Sequence, residues 1–139
     1  MLATDYIIWV HFFCSLWMTS LIWVIQILHY PSFLFIDKNK NIAFSQFHQQ
    51  RISFLVIPFM ILELASLVYL IIKFPLKIEF YILGLLLGLI WISTFLLQVP
   101  CHHELSQGNI KVINKLIKTN WIRTIAWSIK TSLMIILVI

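Results

Sequence analysis

The greatest concentration of side chains that could do chemistry lies in residues 98–104, with the sequence QVPCHHE. This stretch holds two imidazoles, a carboxylate and an amide around Pro100, directly after a long apolar run. The whole chain has only five histidines and five acidic residues, so the stretch contains a large share of its possible metal ligands. Imidazole is the commonest metal ligand in proteins. The question is which other parts of the chain place polar groups beside it.

The composition indicates a membrane protein. Of the 139 residues, 61% are hydrophobic and 11% are charged, and the mean hydropathy is +0.96. Soluble domains carry about 25% charged residues, so this chain cannot cover a water-facing surface with charge. The net charge of +5 does not indicate nucleic-acid binding, because the basic residues fall between apolar runs. We expect a single transmembrane domain over residues 1–139, with Cys14 and Cys101 as free thiols.

Four apolar runs are long enough to cross a bilayer, which takes about 20 residues. We place the spans at about residues 6–28, 52–72, 78–99 and 121–139. Pro31, Pro75 and Pro100 follow the first three runs, where a proline is expected to stop a helix. Pro58 lies inside the second run and predicts a kink. A short helix is expected around residues 42–50. An interfacial amphipathic helix is expected around residues 110–118, either separate from the fourth span or continuous with it.

The distribution of Lys and Arg predicts the topology, because cytoplasmic loops carry an excess of basic residues. Two long loops share one side of the membrane with seven basic residues: Lys38, Lys40, Arg51, Lys111, Lys115, Lys118 and Arg123. Only Lys73 and Lys77 lie on the other side. We therefore expect an all-α, antiparallel up-down four-helix bundle with its long loops in the cytoplasm and both termini outside.

Histidines from three spans are predicted to meet at the cytoplasmic boundary. His29 ends the first span, His48 precedes the second and His102 ends the third. In an antiparallel bundle these positions lie at one level. Gln98 is one helical turn before His102 and shares its face. His11 is expected to lie elsewhere, toward the outer half of the membrane.

Four polar residues near the same boundary are predicted to bind the polar group of a substrate: Arg51, Gln98, Asn120 and Arg123. Glu63 and Lys130 lie deeper, near the middle of their spans. A charge inside a bilayer costs about 3 kcal/mol on insertion scales, so each should face inward and find a partner. We expect Glu63 and Lys130 to pair, either as a purely structural contact or as catalytic groups that relay protons.

Three imidazoles from separate helices suit a transition metal. The predicted ligands are His29, His48 and His102, with a neighbour from residues 98–104 near an open coordination position. Iron or copper is the expected metal, and such a site could activate oxygen or water. The same histidines could instead supply two axial ligands of a haem, with Arg51 and Arg123 at its propionates. The sequence contains neither HExxH nor CxxCH, so the spacing does not choose between these alternatives.

Several motifs resemble those of an uncharacterised family of small bacterial four-helix membrane proteins. They are His29-Tyr30-Pro31, His48-x-x-Arg51, Pro58-x-Met60-x-x-Glu63, Gln98-x-Pro100-x-His102 and Asn120-Trp121-x-Arg123-Thr124. The resemblance covers most of the chain and selects His29, His48 and His102 over His11 and His103. It implies a four-helix fold but no activity. A looser, architectural similarity is to small membrane oxygenases of the anthrone-oxygenase type.

Two functions are expected from these observations. The first is a metal- or haem-bearing redox protein of the bacterial inner membrane that acts on a lipophilic substrate. The second is a binding or transport module, in which Arg51 and Arg123 receive an anionic lipid or small acid. The same bundle could also serve as an accessory subunit of a membrane complex or form a homo-oligomer. Metal analysis separates the first expectation from the others.

Overall fold

Four helical segments make up the fold. The computed structural model describes residues 2–138, and the side chains of residues 6–138. No strand occurs within that range. The four segments that are long and apolar enough to cross a membrane are Tyr6–Phe35, Lys38–Lys73, Ile78–Ser106 and Ile110–Val138. They are called the first to fourth helices below. The predicted all-helical fold with four membrane-length helices is confirmed.

The first helix is longer than predicted. It is α-helical over Leu2–Val24, π-helical over Ile25–His29, α-helical again over Tyr30–Ser32 and 3₁₀-helical over Phe33–Phe35. The prediction that it ends near residue 28 is wrong. Pro31 lies in the first turn of the short α-helical piece, where a missing N–H group does little harm.

The second helix is continuous over Lys38–Lys73. The prediction of a separate short helix before a span that begins at residue 52 is therefore wrong. Asn41, Ser45 and His48 are all buried, so their helical spacing continues the inward face of the span beyond its apolar part. Pro58 lies inside this helix without ending it.

The third and fourth helices also run past their predicted limits. The third is α-helical over Ile78–Ser93 and Val99–Ser106, with a π turn at Thr94–Gln98 between them. Pro100 again occupies the first turn of a new piece and does not stop the helix. The fourth begins with a 3₁₀ turn at Ile110–Val112 and is α-helical over Ile113–Val138. The predicted amphipathic helix and the fourth span are thus one element.

The outer surface of the four helices is strongly apolar. Phe54, Leu85 and Ile136 are each at least 75% exposed, in company with many other large hydrophobic side chains. Monomeric soluble proteins rarely expose contiguous apolar surface on this scale. The interior, by contrast, contains polar side chains from all four helices among its apolar ones. This inside-out distribution is consistent with a multi-pass membrane protein.

Two glycines provide a matched test of the fold. Gly108 has φ +91° in the turn before the fourth helix, and a Cβ there would lie 3.2 Å from Ile42 Cδ1. We expect Gly108→Ala to lower the free energy of unfolding by about 1 kcal/mol, because L-residues with a side chain disfavour positive φ. Thermal unfolding in mild detergent measures the change.

Gly88→Ala is the control for Gly108→Ala. Gly88 lies inside the third helix, and a Cβ there would meet nothing within 4 Å. We expect its stability to stay the same or to rise by up to about 1 kcal/mol, since alanine favours helix more than glycine does. Equal losses in both variants would contradict the role assigned to Gly108.

Candidate functional site

The structure brings the three predicted histidines together. The ring centroids of His29 and His48 are 4.1 Å apart, and those of His48 and His102 are 5.4 Å apart. We call this group the imidazole cluster. Phe33 of the first helix and Phe44 of the second pack against it. Three helices thus each contribute one imidazole to this cluster.

The orientation of these rings does not form a metal site. Among the residues that the structure describes, no group of three His, Cys, Asp or Glu side chains is placed to hold a metal ion. The rings of His29 and His48 lie at 30° to each other at 4.1 Å, so they are nearly stacked. Imidazole lone pairs lie in the ring plane, so nearly stacked rings do not direct them at a common point. His29 Nε2, His48 Nε2 and His102 Nδ1 are buried without a hydrogen-bond partner.

Tyr30 connects the imidazole cluster to Arg123. Arg123 Nη2 donates to the Tyr30 hydroxyl oxygen at 3.2 Å, and that hydroxyl lies 2.9 Å from His102 Nε2. Since the guanidinium only donates, the Tyr30 O–H is free to donate to His102. His102 Nε2 is then the acceptor, and the proton of the neutral ring lies on Nδ1. A side chain that was not predicted as a site residue therefore holds two predicted ones in place.

The π turn at Ile25–His29 explains why Tyr30 faces inward. A π turn adds one residue to the helix and rotates the rest of the helix beyond it by about 100°. The periodicity of the first span predicts that His29 continues its inward stripe. In the structure Tyr30 is buried and His29 is only half-buried. Tyr30 belongs to the motif His29-Tyr30-Pro31, but regular helical spacing alone does not predict that Tyr30 faces inward.

Arg123 is buried among neutral partners. Only 6% of it is exposed. Its Nε donates to Asn120 Oδ1 at 3.0 Å, and Nη2 also contacts Asn120 Oδ1. Longer contacts of 3.4 Å run from Nη2 to Gln98 Oε1 and from Nη1 to Thr94 Oγ1. No carboxylate pairs with it among the described side chains, where the Lys130–Glu63 contact is the sole ion pair.

The amides beside Arg123 are themselves held by other side chains. Asn120 Nδ2 donates to Gln26 Oε1 at 2.8 Å, and Gln98 Nε2 donates to Thr119 Oγ1 at 2.8 Å. Each amide nitrogen therefore donates to a side chain other than Arg123, and each amide oxygen points toward the guanidinium. Predicted substrate-binding residues Gln98, Asn120 and Arg123 thus form one hydrogen-bonded group.

A cavity of about 360 Å³ adjoins this group. All four helices line it. Its polar lining includes Tyr30, Gln98, His102 and Arg123, and the rest is mainly aliphatic and aromatic, including Met18, Met60, Trp91 and Trp127. Small-molecule sites are commonly apolar cavities of this size, with a few polar groups that fix orientation. The cavity therefore has a polar end and an apolar body.

A second buried group, the deep cluster, consists of Glu63, Lys130, His11, Ser15 and Trp127. Lys130 Nζ lies 2.7 Å from Glu63 Oε1, and both side chains are fully buried. The predicted pairing of Glu63 with Lys130 is confirmed. Lys130 also donates to Ser15 Oγ at 2.6 Å and to His11 Nε2 at 2.9 Å. The three ammonium protons thus have three acceptors.

The remaining polar atoms of the deep cluster are also satisfied. Ser15 and Trp127 donate to the two carboxylate oxygens of Glu63, at 2.8 and 3.1 Å. His11 Nδ1 lies 3.1 Å from the backbone oxygen of Glu63, which can only accept, so the ring proton is on Nδ1 and Nε2 accepts from Lys130. Because this network is complete without a ligand, it accounts for the Glu63–Lys130 pair as a structural contact. Proton relay through Glu63 and Lys130 stays a prediction.

Three residues from the sequence-based proposal lie apart from the site. Arg51 is exposed, and its guanidinium lies over the ring of Phe47 at 5.5 Å. His103 is exposed and accepts from Gln107, and Glu104 accepts from Asn109. The structure does not bring any of them to the cavity. His103 and Glu104 follow the inward-facing His102 by one and two residues, which turns them away around the helix. Arg51 follows His48 by three residues, and its side chain lies outward over Phe47.

We expect single substitutions in the deep cluster to be strongly destabilising. Lys130→Met or Glu63→Leu leaves the other charge buried without its partner, which costs about 3–5 kcal/mol. The double variant removes both charges and should lose less than the sum of the two single losses. Chemical unfolding of the purified protein in detergent measures all three. Additive losses would show that the two side chains are not coupled.

The chain was compared with known proteins. No protein-family model, no curated protein and no solved structure matches it.

Proposed function

We propose that this protein is a membrane-embedded binding module for an amphiphile with an acidic head and an apolar body. The observation that carries the proposal is Arg123, a buried cation without a carboxylate partner among the described side chains, at the polar end of an apolar cavity. A buried charge that lacks a counter-charge is costly. An acid bound beside Arg123 supplies that counter-charge.

The head of such a ligand has suitable partners. A guanidinium binds a carboxylate or phosphate through charge-assisted hydrogen bonds. Two of the contacts that Arg123 makes are long, at 3.4 Å to Gln98 and to Thr94, so the N–H groups in them can turn to a stronger acceptor. Tyr30 and His102 line the same end. Electrostatics thus fixes the position of the head, with hydroxyl, amide and imidazole groups around it.

The body of the ligand is matched by the apolar lining. Met18 and Met60 are flexible side chains that adapt to irregular shapes, and Trp91 and Trp127 offer flat aromatic surfaces. At about 360 Å³ the cavity is at the small end of the range for small-molecule sites. This volume favours one chain or one ring system over a lipid with two chains.

The proposal places the helices across the bacterial inner membrane as an antiparallel bundle. Contacts between the first and fourth helices support the direction, because the partners of His11, Thr19 and Gln26 descend along the fourth helix: Lys130, the backbone oxygen of Trp127, and Asn120. Lys and Arg are in excess toward the end where the first helix joins the second and the third joins the fourth. This excess supports a cytoplasmic location for that end, with both termini outside. The imidazole cluster and Arg123 then lie toward the cytoplasmic boundary.

Replacement of Arg123 tests this function. The probe is palmitate with a diazirine at its far end, added to vesicles that contain the protein and activated by light. We expect Arg123→Gln to raise the half-saturating probe concentration by about 10- to 100-fold, because hydrogen bonds to a charged group contribute about 1.5–3 kcal/mol. Mass spectrometry of the labelled peptides locates the tail in the cavity.

Arg51→Gln is the matched control. It removes the same charge from an exposed arginine at the same end of the bundle, and we expect little change in labelling. An equal rise in the half-saturating probe concentration in both variants would show that the acid is attracted by basic residues in general and not by Arg123 in particular. Unchanged labelling in Arg123→Gln would overturn the proposed function.

A second candidate is the metal- or haem-bearing redox protein. One observation favours it: three ring nitrogens of the imidazole cluster are buried and unpartnered. Rotation of the rings is required before His29, His48 and His102 could share a metal. Elemental analysis and an absorption spectrum of the purified protein test this candidate, with His102→Ala as the variant. A preparation that is folded but lacks both stoichiometric metal and a haem band would exclude it.

A further inference from the structure

We infer that the ligand enters the cavity sideways from the bilayer, through an opening between the second and third helices. This inference rests on the proposed function and narrows the ligand to an acid that is dissolved in the membrane. A single-chain fatty acid, or an acid of similar shape, is the class that fits.

The burial of the cavity lining locates the opening. Lining residues from the first and fourth helices form a closed floor, with Ile22 at 2%, Tyr30 at 2% and Trp127 at 0% exposure. Lining residues on the other two helices include several that are half exposed: Ile57 at 52%, Ile61 at 54%, Phe95 at 57% and Val99 at 50%. A residue that both lines the cavity and faces outward stands at its mouth. The mouth therefore lies between the second and third helices.

Contacts above and below close the opening at both ends. A Cβ on Gly84 would lie 3.6 Å from Ile71 Cδ1, so the two helices pack closely near the tight turn that joins them. At the other end Gln49 Nε2 donates to the backbone oxygen of His102 at 2.9 Å. Between these two ties lie residues 53–61 of the second helix and 91–99 of the third. The opening is thus a slot that is bounded along the membrane normal.

Both walls of the slot carry features that interrupt regular helix. Pro58 lies inside the second helix and cannot donate a backbone hydrogen bond. The π turn at Thr94–Gln98 interrupts the third helix on the facing stretch. Prolines and π turns are the usual causes of local bends in helices. Both interruptions lie on the stretch that holds the exposed lining residues of the slot.

The two ends of the slot match the orientation of an amphiphile in a leaflet. Arg123 and His102 lie toward the end where the first helix joins the second, and Met60 and Trp127 lie deeper, beside the deep cluster. A fatty acid in the bilayer keeps its head at the boundary and its chain toward the midplane. It can therefore move into the cavity without turning over, and its head does not cross the apolar interior, where a charge is costly.

Flash labelling at timed intervals tests the route. The same diazirine-bearing palmitate is mixed with the protein in phosphatidylcholine vesicles, and its release is followed after a chase with unlabelled palmitate. We expect Val99→Trp and Ile57→Trp, which crowd the mouth, to slow both loading and release by about tenfold. Loading and release should slow together, because a barrier at the mouth has to be crossed in both directions. Phe95→Ala, which widens the mouth, should accelerate both rates.

Leu85→Trp is the matched control, since it adds the same bulk to an exposed position of the third helix outside the slot. Rates that stay unchanged in all three mouth variants, with labelling still dependent on Arg123, would overturn lateral entry and leave the proposed function intact. Labelling that does not depend on Arg123 would overturn both lateral entry and the proposed function. If a tryptophan variant fails to fold, Phe95→Ala decides alone, because it removes an outward-facing side chain and an unchanged rate there contradicts the slot.

Discussion

The ion pair between Lys130 and Glu63 is the contact on which the arrangement of three helices depends. It joins the second and fourth helices, and His11 and Ser15 attach the first helix to the same ammonium group. A shift of any of these helices by one residue would break contacts that are costly to leave unmade inside an apolar bundle. Apolar packing alone is far less selective, since one aliphatic side chain can replace another at such positions. The charged groups therefore specify the register, and the apolar side chains fill the space around it.

The two buried basic residues of this protein are in opposite situations. Lys130 has an acceptor for each of its protons and a carboxylate to balance its charge. Arg123 has only neutral partners among the described side chains, some of them distant, and a cavity beside it. A group whose hydrogen bonds are complete has no donor free for a ligand, whereas a group whose hydrogen bonds are incomplete can still bind one. Arg123 is therefore the residue proposed to bind a ligand. Lys130 is the residue on which the stability of the fold depends.

Much of the fold was predictable because a bilayer imposes simple rules. Long apolar runs predict membrane-length helices, and the cost of a buried charge predicts that Glu63 and Lys130 find each other. The convergence of His29, His48 and His102 was predictable from the position of each at a span end. Two helix ends were predicted wrongly, because a proline after an apolar run predicts a stop, whereas Pro31 and Pro100 lie in the first turn of new helical pieces.

The parts that could not be predicted depend on side-chain direction. Regular spacing cannot show a π turn, so the inward position of Tyr30 was missed. The near-stacking of His29 on His48 is a matter of ring orientation, about which the order of residues carries no information. The cavity and its mouth arise where two helices separate, and such a gap leaves no mark in a pattern of apolar residues. Arg51 was expected at the site because of its level, but its direction around the helix places it outside.

The π turns have a consequence for how this sequence can change over time. Each contains one residue more than the regular helix needs, and everything beyond it is rotated by about 100° as a result. Loss of a single residue from Ile25–His29 would restore a regular helix and turn Tyr30 away from Arg123, even if every remaining side chain were unchanged. The same holds for Thr94–Gln98 and the direction of His102. At outward-facing positions of these two segments, such as Leu28 and Leu96, a substitution should therefore disturb the site much less than the insertion or deletion of one residue.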